Sequence, residues 1–315
     1  MHKQRDKSIQ LAEHMQSCSL CGNRCHTDRD KGEPSLCGAS ATAEVSHIEV
    51  HHGEEPPISG TRGCGNIFFH NCSLSCVYCQ NWQISNDDAE AYRYLSAGEL
   101  ADEMLKLQDL NVDTLGLVTP TSHLPTLIPA LEQARKRGLS LPIIYNTSAY
   151  DTVTSLHLVE GLVDVYLPDM KYGSNDAGQI YSGVADYVNV SRAAVKEMVR
   201  QVGGLKVDSR GIAQSGVIIR HLILPGGMAD TVEVLQWIAQ ELPHTVPVSL
   251  MSQYKPAFQV ADGLFPELQR KITRHEYEFY LAAAEEVGLE YLFVQDLQSA
   301  EVFIPDFSRA HPFDP

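Results

Sequence analysis

The chain has 315 residues, 43% hydrophobic and 20% charged, enough for one large α/β domain with an appendage. Its 24 basic against 40 acidic residues leave a formal charge of −16, a field that repels phosphate backbones and argues against a nucleic-acid partner. No run of about 18 apolar residues occurs, which argues against a membrane-spanning helix, and Met1–Met15 has no apolar stretch behind basic residues, so a cytoplasmic location is expected.

Residues 1–17 read as a short amphipathic helix with Ile9, Leu11 and Met15 on one side. A loop-like segment follows with the spacing Cys18-x2-Cys21-x3-Cys25-x11-Cys37. Four thiolates satisfy either a closed zinc site or an auxiliary iron–sulfur cluster, and the spacing does not choose between them or exclude free thiols. Lys31, Gly32, Glu33 and Pro34 are turn-forming, so the loop is expected to fold back and bring the four sulfurs together. His26, His47, His51 and His52 are possible replacement ligands. The polar stretch through His51, His52, Gly53, Pro56 and Pro57 reads as a boundary, giving a cysteine-rich segment over 1–58 and a main domain over 59–315. All eight cysteines lie at or before Cys79. Clustered cysteines in a chain without an export signal are more often metal ligands than disulfides. Cys64 reads as a plain buried thiol.

From about residue 61, short apolar runs alternate with helical patterns. The expected strands are Asn66–Phe69, Thr114–Val118, Pro142–Asn146, Val163–Leu167, Gly216–Leu222 and Val246–Met251, several of them apolar throughout, as in parallel strands buried on both faces. Ser96-Ala-Gly-Glu99 is a capping box that opens a helix to Leu110, Gly138 closes a helix after Arg137, Thr231–Leu242 is another, and Thr273-Arg-His-Glu276 caps a last one to Val287. Six strand-then-helix units suggest a barrel or an open α/β sheet, and since six are too few to close an eight-strand barrel the expectation is a partial (β/α)6 TIM-like barrel with an N-terminal cysteine-rich appendage. In such a fold the chemistry sits at the C-terminal ends of the strands.

Directly after the first of these strands comes His70-Asn71-Cys72-Ser73-Leu74-Ser75-Cys76-Val77-Tyr78-Cys79. Three thiolates therefore converge on one loop at a strand end. Iron–sulfur clusters are usually held by four cysteines, so three leave one iron open, as a catalytic metal needs. A structural zinc site with His70 as fourth ligand is the alternative reading of the same residues.

Cys-x3-Cys-x2-Cys with an aromatic residue before the last cysteine resembles the signature of the radical S-adenosylmethionine superfamily. The resemblance extends over most of the main domain and is nearest to relatives of pyruvate formate-lyase activating enzyme, in a subgroup with an extra N-terminal cysteine segment. It implies that Cys72, Cys76 and Cys79 hold a [4Fe–4S] cluster, that S-adenosylmethionine chelates the open iron, and that reductive cleavage yields a 5′-deoxyadenosyl radical that abstracts hydrogen from substrate. It places Tyr78 near the adenine. Leu167-Pro168-Asp169-Met170-Lys171 resembles the Asp-x-Lys motif, which implies that Asp169 and Lys171 meet the cofactor's polar end, where a fixed ammonium suits a carboxylate. Arg220 to Gly226 resembles the family's Arg-x-x-x-x-Pro-Gly element, with Arg220 reaching cofactor or substrate. Met251-Ser252-Gln253-Tyr254 closes the sixth strand, and Tyr254 is expected near the adenosine.

Two places depart from the family pattern. Gly-Gly-Glu is replaced by Val118-Thr119-Pro120-Thr121-Ser122-His123, leaving the oxygens of Thr119, Thr121 and Ser122 to accept from an ammonium, with His123 as a donor to substrate or a helix cap. Asn146 stands where some activating enzymes carry an Asp. Both changes weigh against the alternative of a glycyl-radical activase. A further alternative, a non-catalytic metal-binding module, leaves Asp169, Lys171 and Arg220 unexplained. The implied partners are a low-potential donor, flavodoxin or ferredoxin, and a small-molecule, peptide or protein substrate.

Overall fold

The computed structural model describes residues 7–85, 92–297, 305–309 and 311–313; positions 1–6 of the expected first helix lie outside the described residues. The front of the chain runs α1 (Lys7–Gln16), β1 (Ala43–His51), α2 (Pro56–Ser59), β2 (Cys64–Phe69), α3 (Trp82–Ser85) and β3 (Arg93–Leu95). Then follow α4 (Ala97–Asp109), β4 (Thr114–Val118), α5 (Leu124–Lys136), β5 (Ile143–Thr147), α6 (Val153–Val159) and β6 (Val165–Pro168). The last part holds α7 (Asn175–Ser182), α8 (Tyr187–Val202), β7 (Lys206–Val207), β8 (Ala213–Val217) and β9 (Ile219–Leu222). It ends with α9 (Thr231–Glu241), β10 (Val248–Met251), α10 (Arg274–Glu286) and β11 (Leu292–Val294).

Strands β2, β4, β5, β6 and β8 are neighbours in that order and pair in parallel. The layer continues through β9, β10 and β11, also parallel. Strands β8 and β9 are one bent strand: Ile218 N–H donates to Tyr166 O at 3.0 Å, and past the bend Met170 N–H donates to Arg220 O at 2.8 Å. Among the described residues no ladder joins β11 to β1 or β3, so the barrel stays open on that side. All six expected strands are present, and the fold is the partial α/β barrel read from the sequence.

The reason lies in burial. Every residue of β2, β4 and β6 is buried, as a parallel strand with helices outside and side chains within requires. Helix α4 opens on the expected capping box, Ser96 with Glu99, and buries Leu100, Met104 and Leu107 on one face. Each such side chain contributes roughly 1.5–3 kcal/mol when fully buried. Thr273 and Glu276 form the second expected box, at the start of α10.

Several elements were not expected. The stretch read as a boundary includes β1, nine residues long, which pairs antiparallel with β2 and carries β3 on its outer edge. Strand β11 adds a seventh parallel position beyond β10. The described C-terminal residues fold across the open side: Phe307 and Phe313 pack on Phe68 with ring centroids 5.4 and 5.7 Å apart, and Phe307 N–H donates to Gln83 Oε1 at 2.9 Å.

Candidate active site

A cavity of about 430 Å³ opens at the C-terminal strand ends. Cys72, Cys76 and Cys79 all line it, together with Tyr78, Thr119, Asn146, Asp169, Lys171 and Arg220. The cysteine loop leaves β2 through Asn71, whose left-handed backbone (φ 70°) turns the chain and whose Nδ2 donates to Glu44 Oε2 at 2.8 Å. The loop is then pinned to the end of α7: Val77 N–H donates to Tyr181 O at 2.9 Å, and Cys76 Sγ and Ser182 Oγ share a hydrogen bond of 2.9 Å. Cys79 Sγ meets Ser85 Oγ at 3.2 Å, and Leu74 N–H donates to Cys72 Sγ at 3.5 Å.

Burial pushes the Cys72 thiol up, with the neighbouring Cys76 adding to it, and pushes Cys79 up to about 11 for the same two reasons. Lys171 opposes both shifts. Thiols so placed ionise readily only beside strong positive charge, which a bound metal supplies. Soft thiolate donors from one loop suit an iron–sulfur cluster. Among the described residues no three His, Cys, Asp or Glu side chains are posed as a finished metal cage. Cys76 and Cys79 face Ser182 and Ser85 instead, and side-chain rotation is needed to aim them together. The donor set, its burial and its common cavity fit the group.

Asp169 and Lys171 form an ion pair of 2.7 Å at the end of β6. Burial works against the Lys171 charge, but Asp169 outweighs it and holds the ammonium well above its usual pKa. Tyr78 is buried with its hydroxyl 2.8 Å from that of Tyr172, which lies 2.7 Å from Ser182 Oγ. Tyr78, Tyr172, Ser182 and Cys76 are thus one chain of hydrogen bonds leading from a cavity aromatic to a cavity thiol. Tyr172 and Ser182 carry no motif, and sequence reading missed them.

Arg220 is the most elaborately held charge of the site. Its Nε and Nη2 donate to the two oxygens of Glu55 at 2.8 and 2.7 Å, and Nη2 also donates to Glu54. Asn66 Nδ2, from β2, donates to the other oxygen of Glu54 at 2.8 Å. Asn66 fits because position 116 is glycine; a Cβ there would come within 1.9 Å of Asn66 Oδ1. Burial pushes Glu54 up, yet the Arg220 charge overrides it and keeps this carboxyl below its usual range. Glu54, Glu55 and His51 line the cavity. They sit in the stretch read as a boundary, where two acids before a Pro-Pro pair carry no spacing that separates them from solvated residues.

Four expected residues do not reach the cavity. His123 is a core histidine: Nε2 donates to His70 O at 2.7 Å, Nδ1 accepts from Glu44 N–H at 3.5 Å, and the ring stacks on Phe69. Burial pushes its pKa down to about 4, so it is neutral, as those two bonds require. A role as donor to substrate is corrected accordingly. Thr121 is turned to Asp151, its Oγ1 donating at 2.8 Å, and Ser122 Oγ donates to Cys37 Sγ at 3.3 Å. Tyr254 lies behind Tyr78, 6.0 Å between ring centroids, with its hydroxyl donating to Leu268 O at 2.8 Å.

The N-terminal cysteine segment packs beside this loop. Gly22 N–H donates to Tyr150 O at 2.9 Å, and a Cβ at Gly22 would stand 2.4 Å from the Tyr150 ring. Asn23 Nδ2 donates to Ser73 O at 2.7 Å, one residue past Cys72.

No family model matches the chain. An uncharacterized protein of Methanocaldococcus jannaschii is 29% identical over 297 residues, covering 91% of this chain and 80% of the relative. A pyruvate formate-lyase-activating enzyme of Streptococcus mutans is 24% identical over 173 residues, covering 51% of this chain and 59% of the relative. Among solved structures, the [FeFe]-hydrogenase maturase HydG of Carboxydothermus hydrogenoformans aligns with a TM-score of 0.49 at 15% identity, over 73% of this chain and 53% of that one. SuiB of Streptococcus suis, solved with its precursor peptide SuiA, aligns at 0.45 and 12%, over 76% and 50%. The chain spans about half the length of these solved structures. Among the described residues no helix is long and apolar enough to cross a membrane.

Proposed function

We propose that the protein is a radical S-adenosylmethionine enzyme whose Cys72, Cys76 and Cys79 hold a [4Fe–4S] cluster. The observation that carries this reading is the convergence of the three thiols, Asp169 and Lys171 on one cavity at the strand ends. When bound, the cluster and S-adenosylmethionine supply a reductively generated 5′-deoxyadenosyl radical for hydrogen abstraction.

The chain's own residues bind and shield. Lys171, fixed by Asp169, presents an ammonium to a carboxylate at the strand ends, a charge-assisted contact stronger than a neutral one. Thr119 and Asn146 offer oxygens on the neighbouring strands for an ammonium. Phe68, Phe69, Phe293 and Phe313 line the cavity and keep water from a reactive centre. Arg220, with Glu54 and Glu55, makes a polar wall for the part of the cavity that a substrate occupies.

The test is anaerobic incubation with dithionite and S-adenosylmethionine. 5′-Deoxyadenosine is expected from the intact chain and not from Cys72→Ala; its absence from iron-loaded intact protein refutes the reading. A glycyl-radical activase is the second reading, favoured by the match to the Streptococcus mutans enzyme. Thr119 to Ser122 without a carboxylate, and Asn146, weigh against it. Electron spin resonance of a glycyl-radical partner separates the two. Either reading needs a low-potential flavodoxin or ferredoxin, because cleavage consumes an electron.

A further inference from the structure

We propose that Cys18, Cys21, Cys25 and Cys37 bind a metal as four thiolates, and that Arg29 is the built-in counter-charge of that centre. Arg29 lies between Cys25 and Cys37 and is 4% exposed. Its Nη2 donates to Cys18 Sγ at 3.2 Å and reaches Cys37 Sγ at 3.9 Å. Nη1 donates to Ser122 O at 2.6 Å and, more weakly, to Ser40 O at 3.5 Å. Nε is buried without a hydrogen-bond partner. Among the described residues no carboxylate lies among the partners of this guanidinium.

A buried guanidinium needs negative charge close by. The side chains it touches are sulfurs, and a neutral thiol is a weak acceptor that cancels no charge. Metal-bound thiolates do both. A divalent metal, or a cubane of equal charge, under four thiolates leaves a net charge of about −2 for Arg29 to meet.

Other donors are already aimed at the sulfurs. Thr27 Oγ1 donates to Cys25 Sγ at 3.3 Å, Ser122 Oγ to Cys37 Sγ at 3.3 Å, and Ser35 Oγ lies 3.5 Å from Cys37 Sγ. Cys18 and Cys21 are themselves buried. Hydroxyls and cations around a set of ligands orient them and tune the metal. The sulfurs close on it by side-chain rotation, since no finished cage is posed among the described residues. Asn23, through Ser73, ties this centre to the loop of Cys72.

The site does not depend on the catalytic reading, and the experiment keeps them apart. The full chain carrying Cys72→Ala, Cys76→Ala and Cys79→Ala together is purified anaerobically and its metal measured. About one zinc or about four iron per chain is expected, lost when Cys21→Ser and Cys37→Ser are added. A triple variant that is folded by circular dichroism and carries no stoichiometric metal overturns the site. Should the triple variant not fold, equal metal in the intact chain and in Cys21→Ser/Cys37→Ser overturns it equally. Arg29→Gln is expected to speed metal loss to a chelator by about tenfold or more, with Arg29→Lys restoring much of the retention because it keeps the charge. An unchanged rate in Arg29→Gln overturns the role of Arg29.

Discussion

Replacing Arg220 by Met removes the guanidinium that faces two carboxylates with side chains 10% and 6% exposed, Glu54 and Glu55. The native pair is bidentate to Glu55, at 2.8 and 2.7 Å, with a further bond to Glu54. Methionine fills much of the volume but leaves two buried negative charges facing each other. Breaking a buried pair from one side costs about 3–5 kcal/mol, chiefly because the remaining charge is uncompensated. The pH dependence makes the cause visible. In the intact chain the folded pKa of Glu54 lies below its unfolded value. Its contribution is therefore present above the unfolded pKa and lost as pH falls through the folded one. In the variant the Arg220 charge is gone and burial is opposed only by the weaker influences of His51 and the Asn66 hydrogen bond, so the folded pKa of Glu54 rises, the penalty is largest at neutral pH and it is relieved as acid protonates this carboxyl. Urea unfolding of both proteins between pH 7 and pH 4 should show a deficit of about 3–5 kcal/mol that narrows toward acid. A deficit below about 1 kcal/mol at pH 7, the range of a surface pair, or one that does not change with pH, would refute the buried-network account.

Cys72→Ala, Cys76→Ala and Cys79→Ala should each abolish 5′-deoxyadenosine formation, since two thiolates do not hold a site-differentiated cluster; full product from any one of them sinks the assignment. His123→Ala should destabilise by roughly 1–3 kcal/mol, the penalty of an unpaired buried carbonyl at His70, while cofactor cleavage per folded molecule stays intact; a selective loss of cleavage in a stable protein would restore His123 to the chemistry. Tyr172→Phe breaks the hydroxyl chain between Tyr78 and Cys76 and should shift the cluster's midpoint potential while iron content stays unchanged; an unaltered potential means that the chain only packs.

The strands that carry the site were readable because their physical requirements are severe. β4 is buried over its whole length, and only apolar or small residues suit a strand with helices on one face and packed side chains on the other. Its expected and observed limits coincide. The two capping boxes were equally legible, since a hydroxyl and a carboxylate three residues apart satisfy orphan N–H groups by local geometry alone. β1 was not. Its residues, Ala43-Glu44-Val45-Ser46-His47-Ile48-Glu49-Val50-His51, alternate polar and apolar except at Ser46-His47, where the register with β2 shifts, but the histidines and the Pro-Pro pair after it read as a boundary.

Within the site, legibility followed backbone position rather than residue chemistry. Asp169, Lys171, Arg220, Thr119 and Asn146 reach the cavity because each stands at a strand or just past its end, where the chain has only one open direction. His123, Thr121 and Ser122 stand past a strand end too, yet Thr119 takes a left-handed backbone (φ 59°) and the next residues form a short turn that faces the N-terminal segment. No periodicity in the sequence announces that turn. Its consequence is concrete: Thr119 stays in the cavity, but Ser122 gives its hydroxyl to Cys37 and its carbonyl to Arg29 and so helps to hold the second cysteine set instead of a cofactor's ammonium. The carboxylates that the strand end lacks reach the cavity on Glu54 and Glu55, held there by tertiary contacts from the Arg220 guanidinium of β9 and Asn66 of β2. A charge pair separated by 165 residues in the chain leaves no trace in local spacing; it is visible only once the barrel has placed β2 and β9 around a common interior.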